Sequence, residues 1–177
     1  LNRSQALVTR GKDGKVRAFL NVCRHRGATL ALESSGKQAR FACPYHGWTY
    51  NNEGTLLGIS FKETTGLEPC AARNLIALPV EERHGFIWII ENPEASIDIQ
   101  AHLGPDMVQM LGDYTLDAFY CVREAIFDFG QNWKIMVDGL IDGYHVSFVH
   151  GPTIKPYFHL NLMALAEVNS DHCVTTT

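Results

Sequence analysis

The sequence predicts an α+β protein: an all-β region over residues 1–91, then a mixed α/β region over residues 92–177. Three observations carry that prediction. Short β-branched or aromatic runs separated by turn clusters fill residues 5–91. The polar, Pro-bearing stretch ENPEAS at 91–96 marks a change of character, and apolar residues recur at roughly helical spacing over 131–150.

Taken in order, the runs QALVT, VRAFLNV, ARFAC, WTY, LIALPV and GFIWII read as strands of a small barrel or sandwich. KDGK around Asp13-Gly14 predicts a type I′ hairpin turn, because Asp-Gly accommodates positive φ angles. NNEG at 51–54 predicts a second turn. Beyond the boundary, SIDIQAHLGPDMVQMLGD reads as a helix capped by Ser96 and broken at Pro105. TLDAFYCVREAIFDFG alternates well enough for a long strand. QNWKIMVDGLIDGYHVSFVH then reads as a helix despite Gly139 and Gly143, each costing about 1 kcal/mol against Ala in a helix interior. Such glycines point to close packing or a nearby ligand.

Bulk properties exclude several classes. A net charge of -4 with no basic stripe argues against a nucleic-acid binder. No apolar run approaches the ~20 residues that span a bilayer. The five Cys are odd in number and scattered, so they form no disulfide framework, and a reducing cytoplasm is the simplest location. The absence of an initiating Met, and an end at CVTTT that closes no evident element, read as a fragment.

The chemistry concentrates in two loops. Cys23 and His25 stand in CRHRG, and Cys43 and His46 in CPYHGW, with seventeen residues between His25 and Cys43. Thiolate plus neutral imidazole suits tetrahedral zinc or an iron–sulfur centre, and a buried Cys/His core is the bland alternative. Zinc fingers generally separate their Cys pair from their His pair. Here each loop offers one of each, the ligand set in which two His replace two Cys on one iron of a [2Fe–2S] cluster. Gly27 and Gly47 follow the histidines closely and let backbone amides approach a cluster.

CRHRGATL…CPYHGWTY resembles the Rieske signature of the ring-hydroxylating oxygenase family, covering the four ligands, Arg26-Gly27 and Gly47-Trp48. Respiratory Rieske proteins carry an additional, disulfide-forming Cys in each loop. Neither loop has one here, which favours the low-potential oxygenase or ferredoxin type. Trp48 and Trp88 fit a β core, with Trp48 placed to shield the cluster. Arg24 and Arg26 read either as contacts to a partner or as an exposed charged loop. His84, in the turn EERHG, reads as solvent-exposed, while His102, His159 and His172 show no partner spacing.

The second constellation is DGLIDGYHVSFVH. Asp142 and His145 are i,i+3 neighbours on a helix, but His150 lies about 140° further round. Both imidazoles reach one metal ion only if the helix is distorted or ends between them; two unrelated histidines is the other reading. Downstream of a Rieske signature, NWK…D-x-x-H-x-x-x-x-H is similar to the start of the family's catalytic domain. The resemblance implies that His145 and His150 bind a mononuclear Fe(II) as part of a 2-His-1-carboxylate triad. It implies that Asp142 links a neighbouring subunit's cluster histidine to His145. Asp138 departs from the family's frequent Asn and reads as a capping carboxylate. The triad's third ligand would lie beyond residue 177; Glu167 and Asp171 are too near to match it.

The resemblance thus implies a Rieske [2Fe–2S] domain at 1–91 and the N-terminal part of an oxygenase catalytic domain at 92–177. Its implied partners are a ferredoxin and/or an NAD(P)H-dependent reductase, an aromatic small-molecule substrate and O₂. The implied assembly is a homotrimer or α3β3. The competing readings are a Rieske-type electron carrier and a non-catalytic fragment.

Overall fold

The computed structural model describes residues 5–157, 164–167 and 173–176, which divide into two compact units, Leu1–Ile99 and Gln100–Thr177.

Unit 1 is built from short antiparallel strands. β1 (Ala6–Arg10) pairs with β2 (Val16–Leu20), and β2 pairs with β6 (Ala77–Leu78). A second sheet joins β3 (Arg40–Ala42), β4 (Thr49–Asn51) and β5 (Leu56–Gly58). β7 (Val80–Arg83) and β8 (Phe86–Ile89) form a hairpin. Alternation explains the sides taken: Leu7, Phe19, Phe41, Tyr50 and Leu56 point into one core with Trp48, Ile59 and Leu75. Thr9 donates its hydroxyl to the Asn52 carbonyl at 2.6 Å, fixing β1 to the turn after β4. β5 was not anticipated from its three residues; the Asn74 side chain receives the Leu56 N–H and anchors it.

The turns correct the sequence reading. Asp13 does not take a positive φ; among residues 11–15 only Gly14 does, at 76°, and its N–H returns to the Gly11 carbonyl. The connection from Gly11 to Lys15 is therefore longer than a two-residue type I′ loop, and Asp13 instead accepts from Arg17 at 2.7 Å. The two-residue turn with both φ values positive is His84-Gly85, at 55° and 77°, between Arg83 and Phe86. His84 is half-buried rather than exposed, and its Nε2 is buried without a hydrogen-bond partner. The tight turn tucks the ring back instead of releasing it to solvent.

Helix α1 (Lys62–Thr65) is a single turn. Helix α2 (Ile99–Asp113) begins three residues past Ser96; the Glu81 carboxylate receives the Ile99 N–H at 3.0 Å and does the work expected of Ser96. Its kink is at Gly104 (φ 75°), just before Pro105, as the proline demands.

In unit 2, the strand expected over residues 115–130 does not form: Leu116–Ala118 make a 3-10 turn, and residues 119–130, despite their alternation, have no ladder partner among the described elements. Helix α3 (Trp133–Ile141) is capped by Asn132, whose side chain accepts the Lys134 N–H at 3.0 Å. Helix α4 (Val146–Val149) follows. β9 (Ala164–Glu167) and β10 (Cys173–Thr176) pair antiparallel, so CVTT is a strand after all, consistent with its β-branched residues. His159, His172 and Asp171 lie outside the described residues. No helix among the described residues is long and apolar enough to cross a membrane.

Candidate metal centres

The two Cys-His loops repeat one backbone device. Cys23 N–H bonds the Ala28 carbonyl at 2.8 Å while Gly27 N–H returns to the Cys23 carbonyl at 3.0 Å. Cys43 N–H bonds the Trp48 carbonyl at 2.8 Å while Gly47 N–H returns to the Cys43 carbonyl at 2.9 Å. Gly27 and Gly47 close these turns at φ 76° and 69°, conformations costly for other residues. A Cβ at Gly47 would also strike the Ser60 hydroxyl.

These turns present the four predicted side chains together. His25 Nδ1 and His46 Nδ1 face each other at 3.1 Å, close enough for both to serve one ion. Cys23 and Cys43 are buried at 2% and 3% exposure, while His46 is exposed and His25 half-buried. Burial pushes the Cys23 thiol pKa up, and the neighbouring Cys43 adds to the shift. Burial, then the charges of His46 and Arg26, hold His25 below the usual imidazole value. Two thiols facing inward and two imidazoles facing outward fit a two-iron cluster. Among the described residues, no three His, Cys, Asp or Glu stand where they could hold one metal ion; a [2Fe–2S] cluster takes two protein donors per iron.

Three supporting residues surround the loops. Asn21, 6% exposed, receives the Leu30 and Ala31 N–H groups at 3.2 and 2.8 Å and donates to the Ala31 carbonyl at 2.7 Å. It clamps the far end of the first loop. Tyr50, fully buried, places its hydroxyl 3.7 Å from Cys23 Sγ and receives the Arg24 N–H at 3.2 Å. Trp48 stacks on His25. Sequence reasoning missed Asn21 and Tyr50; the signal available was an Asn two residues before a ligand and a Tyr at i+2 from the core Trp. Arg24 and Arg26 are exposed. The groove of ≈ 960 Å³ in this unit runs along β1 and residues 30–39 and includes neither histidine.

In unit 2 the helix is interrupted on both sides of His145: α3 ends at Ile141, and the single turn of α4 (Val146–Val149) ends between His145 and His150. Asp142 ends α3 in an extended conformation (ψ 99°) and receives the Tyr144 N–H at 2.8 Å. His145 and His150 then flank the single turn of α4, their rings edge to face at 5.3 Å. Asp142 Oδ2 lies 3.3 Å from His145 Nδ1, which leaves Nε2 as the nitrogen free for a metal ion. Asp138 contributes its backbone carbonyl to the Asp142 N–H, and its carboxylate has no cap role among the described contacts.

Known proteins resemble most of this chain. Residues 1–69 match the Rieske [2Fe-2S] domain. The chain is 32% identical over 158 residues to the 2-halobenzoate 1,2-dioxygenase large subunit of Burkholderia cepacia, covering 85% of this chain and 34% of that one. It is 32% identical over 164 residues to the glycine betaine monooxygenase oxygenase subunit of Pseudomonas aeruginosa, covering 88% and 35%. The chain therefore spans about a third of the length of the curated relatives it matches. Among solved structures, the quaternary ammonium Rieske monooxygenase CntA in complex with L-carnitine matches with a TM-score of 0.82 at 26% identity, covering 97% of this chain and 48% of that chain. Naphthalene 1,2-dioxygenase from Rhodococcus sp. bound to indole matches at 0.73 and 30%, covering 86% and 36%. Residues 1–69 are thus a Rieske [2Fe–2S] domain, in a chain homologous to part of the large subunits of Rieske ring-hydroxylating oxygenases.

Proposed function

We propose that the chain is the electron-accepting part of a Rieske non-haem iron oxygenase large subunit, with a Rieske domain over 1–91 and the first part of the catalytic domain over 92–177. The observation that carries this reading is the Asp142–His145 contact beside His150, in a chain that also brings Cys23, His25, Cys43 and His46 together. Cys23, Cys43, His25 and His46 would hold the cluster, and His145 and His150 two coordination positions of a mononuclear Fe(II). When bound, the first group supplies one-electron transfer and the second supplies oxygen activation. The protein residues set the stage for both. Asp142 fixes the tautomer and plane of His145 and remains 54% exposed, so it is accessible to a second hydrogen-bonding group. That group would be the cluster histidine of a neighbouring subunit, which makes a homotrimer, alone or as α3β3, the expected assembly. Electrons would come from a ferredoxin and/or an NAD(P)H-dependent reductase, in the cytoplasm.

Asp142→Asn in the full-length enzyme tests this reading. Cluster reduction should be unchanged, while product formed per reduced cluster in a single turnover falls about 10- to 100-fold, the range for removing such a metal-supporting partner. Unchanged turnover would overturn the role given to Asp142, whereas a parent enzyme that forms no product from a reduced cluster would reduce the chain to an electron carrier with a coincidental His pair. Metal analysis adds an independent check: an oxygenase holds three irons for every two inorganic sulfides, a carrier two.

The relatives divide on substrate. Aromatic substrates fit the halobenzoate and naphthalene enzymes, and quaternary ammonium compounds fit the CntA-type match, which covers more of the chain. Oxygen uptake by the full-length enzyme with benzoates and naphthalene, against glycine betaine and carnitine, separates the two classes.

A further inference from the structure

Strand β4 begins where the second ligand loop ends, yet two of its neighbouring aromatic side chains reach the ligands of the first loop. Tyr50 meets Cys23, and Trp48 lies parallel to the His25 ring, centroids 4.9 Å apart and planes 7° from parallel. Trp48 is 4% exposed and its carbonyl is held by the Cys43 N–H, so its position is fixed by the loop that carries the other Cys. The final torsion of a histidine side chain is soft and has no sharp staggered wells. Something must therefore select the ring orientation that turns His25 Nδ1 toward His46 Nδ1. No described residue hydrogen-bonds His25 Nε2. Among the described residues, the ring against His46 besides His25 is Tyr45, tilted by 34° and itself 60% exposed. Among the described residues, the buried indole is the one buried ring stacked on either imidazole.

We propose that Trp48 is a positioning residue for the cluster: its ring sets the plane of His25 and covers that imidazole from water, and so tunes the cluster's reduction potential. The proposal rests on the assignment of His25 as a cluster ligand. With two thiolates and two neutral imidazoles, reduction adds a negative charge, which a dry environment disfavours. Trp48 therefore holds the potential down.

The experiment uses the full chain carrying its cluster, with Trp48→Leu and Trp48→Phe. Leu keeps apolar volume but no stacking face; Phe keeps a stacking face. Trp48→Leu should shift the potential upward, broaden the g-values of the reduced cluster's EPR spectrum and shorten the cluster's half-life in air at least threefold. Trp48→Phe should restore most of each. A Leu variant matching the parent in potential and line shape, or a Phe variant as impaired as Leu, would overturn the proposal. If neither variant yields folded protein, pulsed EPR of the parent's reduced cluster in D₂O reads whether solvent deuterons reach the His25 imidazole. An imidazole shielded from solvent deuterons supports the proposal, and one as solvent-coupled as the exposed His46 ring refutes it. Failure of the parent to show a Rieske EPR signal would instead remove the ligand assignment itself.

Discussion

Asn21 shows how a single buried amide can matter as much as a ligand. Its carboxamide satisfies two N–H groups and one carbonyl at the closing end of the first ligand loop. Asn21→Ala would leave those groups buried without partners, at roughly 1–3 kcal/mol for each that water cannot reach. The expected result is a urea midpoint lowered by about 2 kcal/mol equivalent and faster cluster loss on incubation with a chelator. Asn21→Asp should recover only part, since a carboxylate cannot donate to the Ala31 carbonyl. That Cys23, His25, Cys43 and His46 come together was legible in the sequence, because Cys and His at such spacing have few other uses. Asn21 was not, because a buried Asn is distinguished from a turn Asn only by what folds over it.

Hairpins carry the clearest lessons at the level of elements. His84 holds φ 55° in a two-residue turn where Asn-Gly is preferred, and its Nε2 is buried without a partner. His84→Asn should stabilise unit 1 by about 0.5–1 kcal/mol in equilibrium unfolding. A decrease would mean that the imidazole makes a needed contact in the intact protein. The β1–β2 connection depends on pH. Its Asp13 carboxyl is lowered to about 2 by hydrogen bonds from Arg17, and opposed by partial desolvation. A depressed carboxyl stabilises the fold above its unfolded value and loses that contribution on acidification. The loss should run from the ordinary value of 3.8 down to about 2, and Asp13→Asn should remove this part of the acid dependence of the melting temperature. Asp13-Gly14 reads as type I′ in sequence because composition specifies a turn but not its length. That length is set by the β1–β2 register, which pairs Arg10 with Val16. The alternating residues 119–130 mislead in the opposite direction: periodicity reports a potential face, and a ladder partner has to exist for it to become a strand.

For the whole molecule, the division at Ile99 predicts that residues 1–99 fold alone and hold a [2Fe–2S] cluster. Such a fragment should give the visible absorption and EPR of the full chain with two irons. If it precipitates without a cluster, unit 1 depends on unit 2. Unit 2 is a different case. Phe119, Tyr120, Val122, Ile126, Phe127 and Trp133 are all exposed, and the chain spans about a third of its relatives. Its order in solution should therefore be lower than that of unit 1, measured as faster amide exchange over 119–150. The architecture of the first unit was readable because its core is formed within the chain. The second was readable mainly through DGLIDGYHVSFVH, where the chemistry is local even though the packing is not.

The burial of Cys23 and Cys43 on opposite loops has one more consequence. A group bound to both would be a cross-link closing a loop of about twenty residues, and a covalent tie of that span stabilises by about 3 kcal/mol through the unfolded state alone. The iron–sulfur centre would then be a staple as well as a redox group. Stripping it with a chelator under reducing conditions should lower the melting temperature of unit 1 by several degrees while leaving the β1–β2 and β7–β8 hairpins intact. The electron site and the mechanical fastening of the domain would be the same atoms.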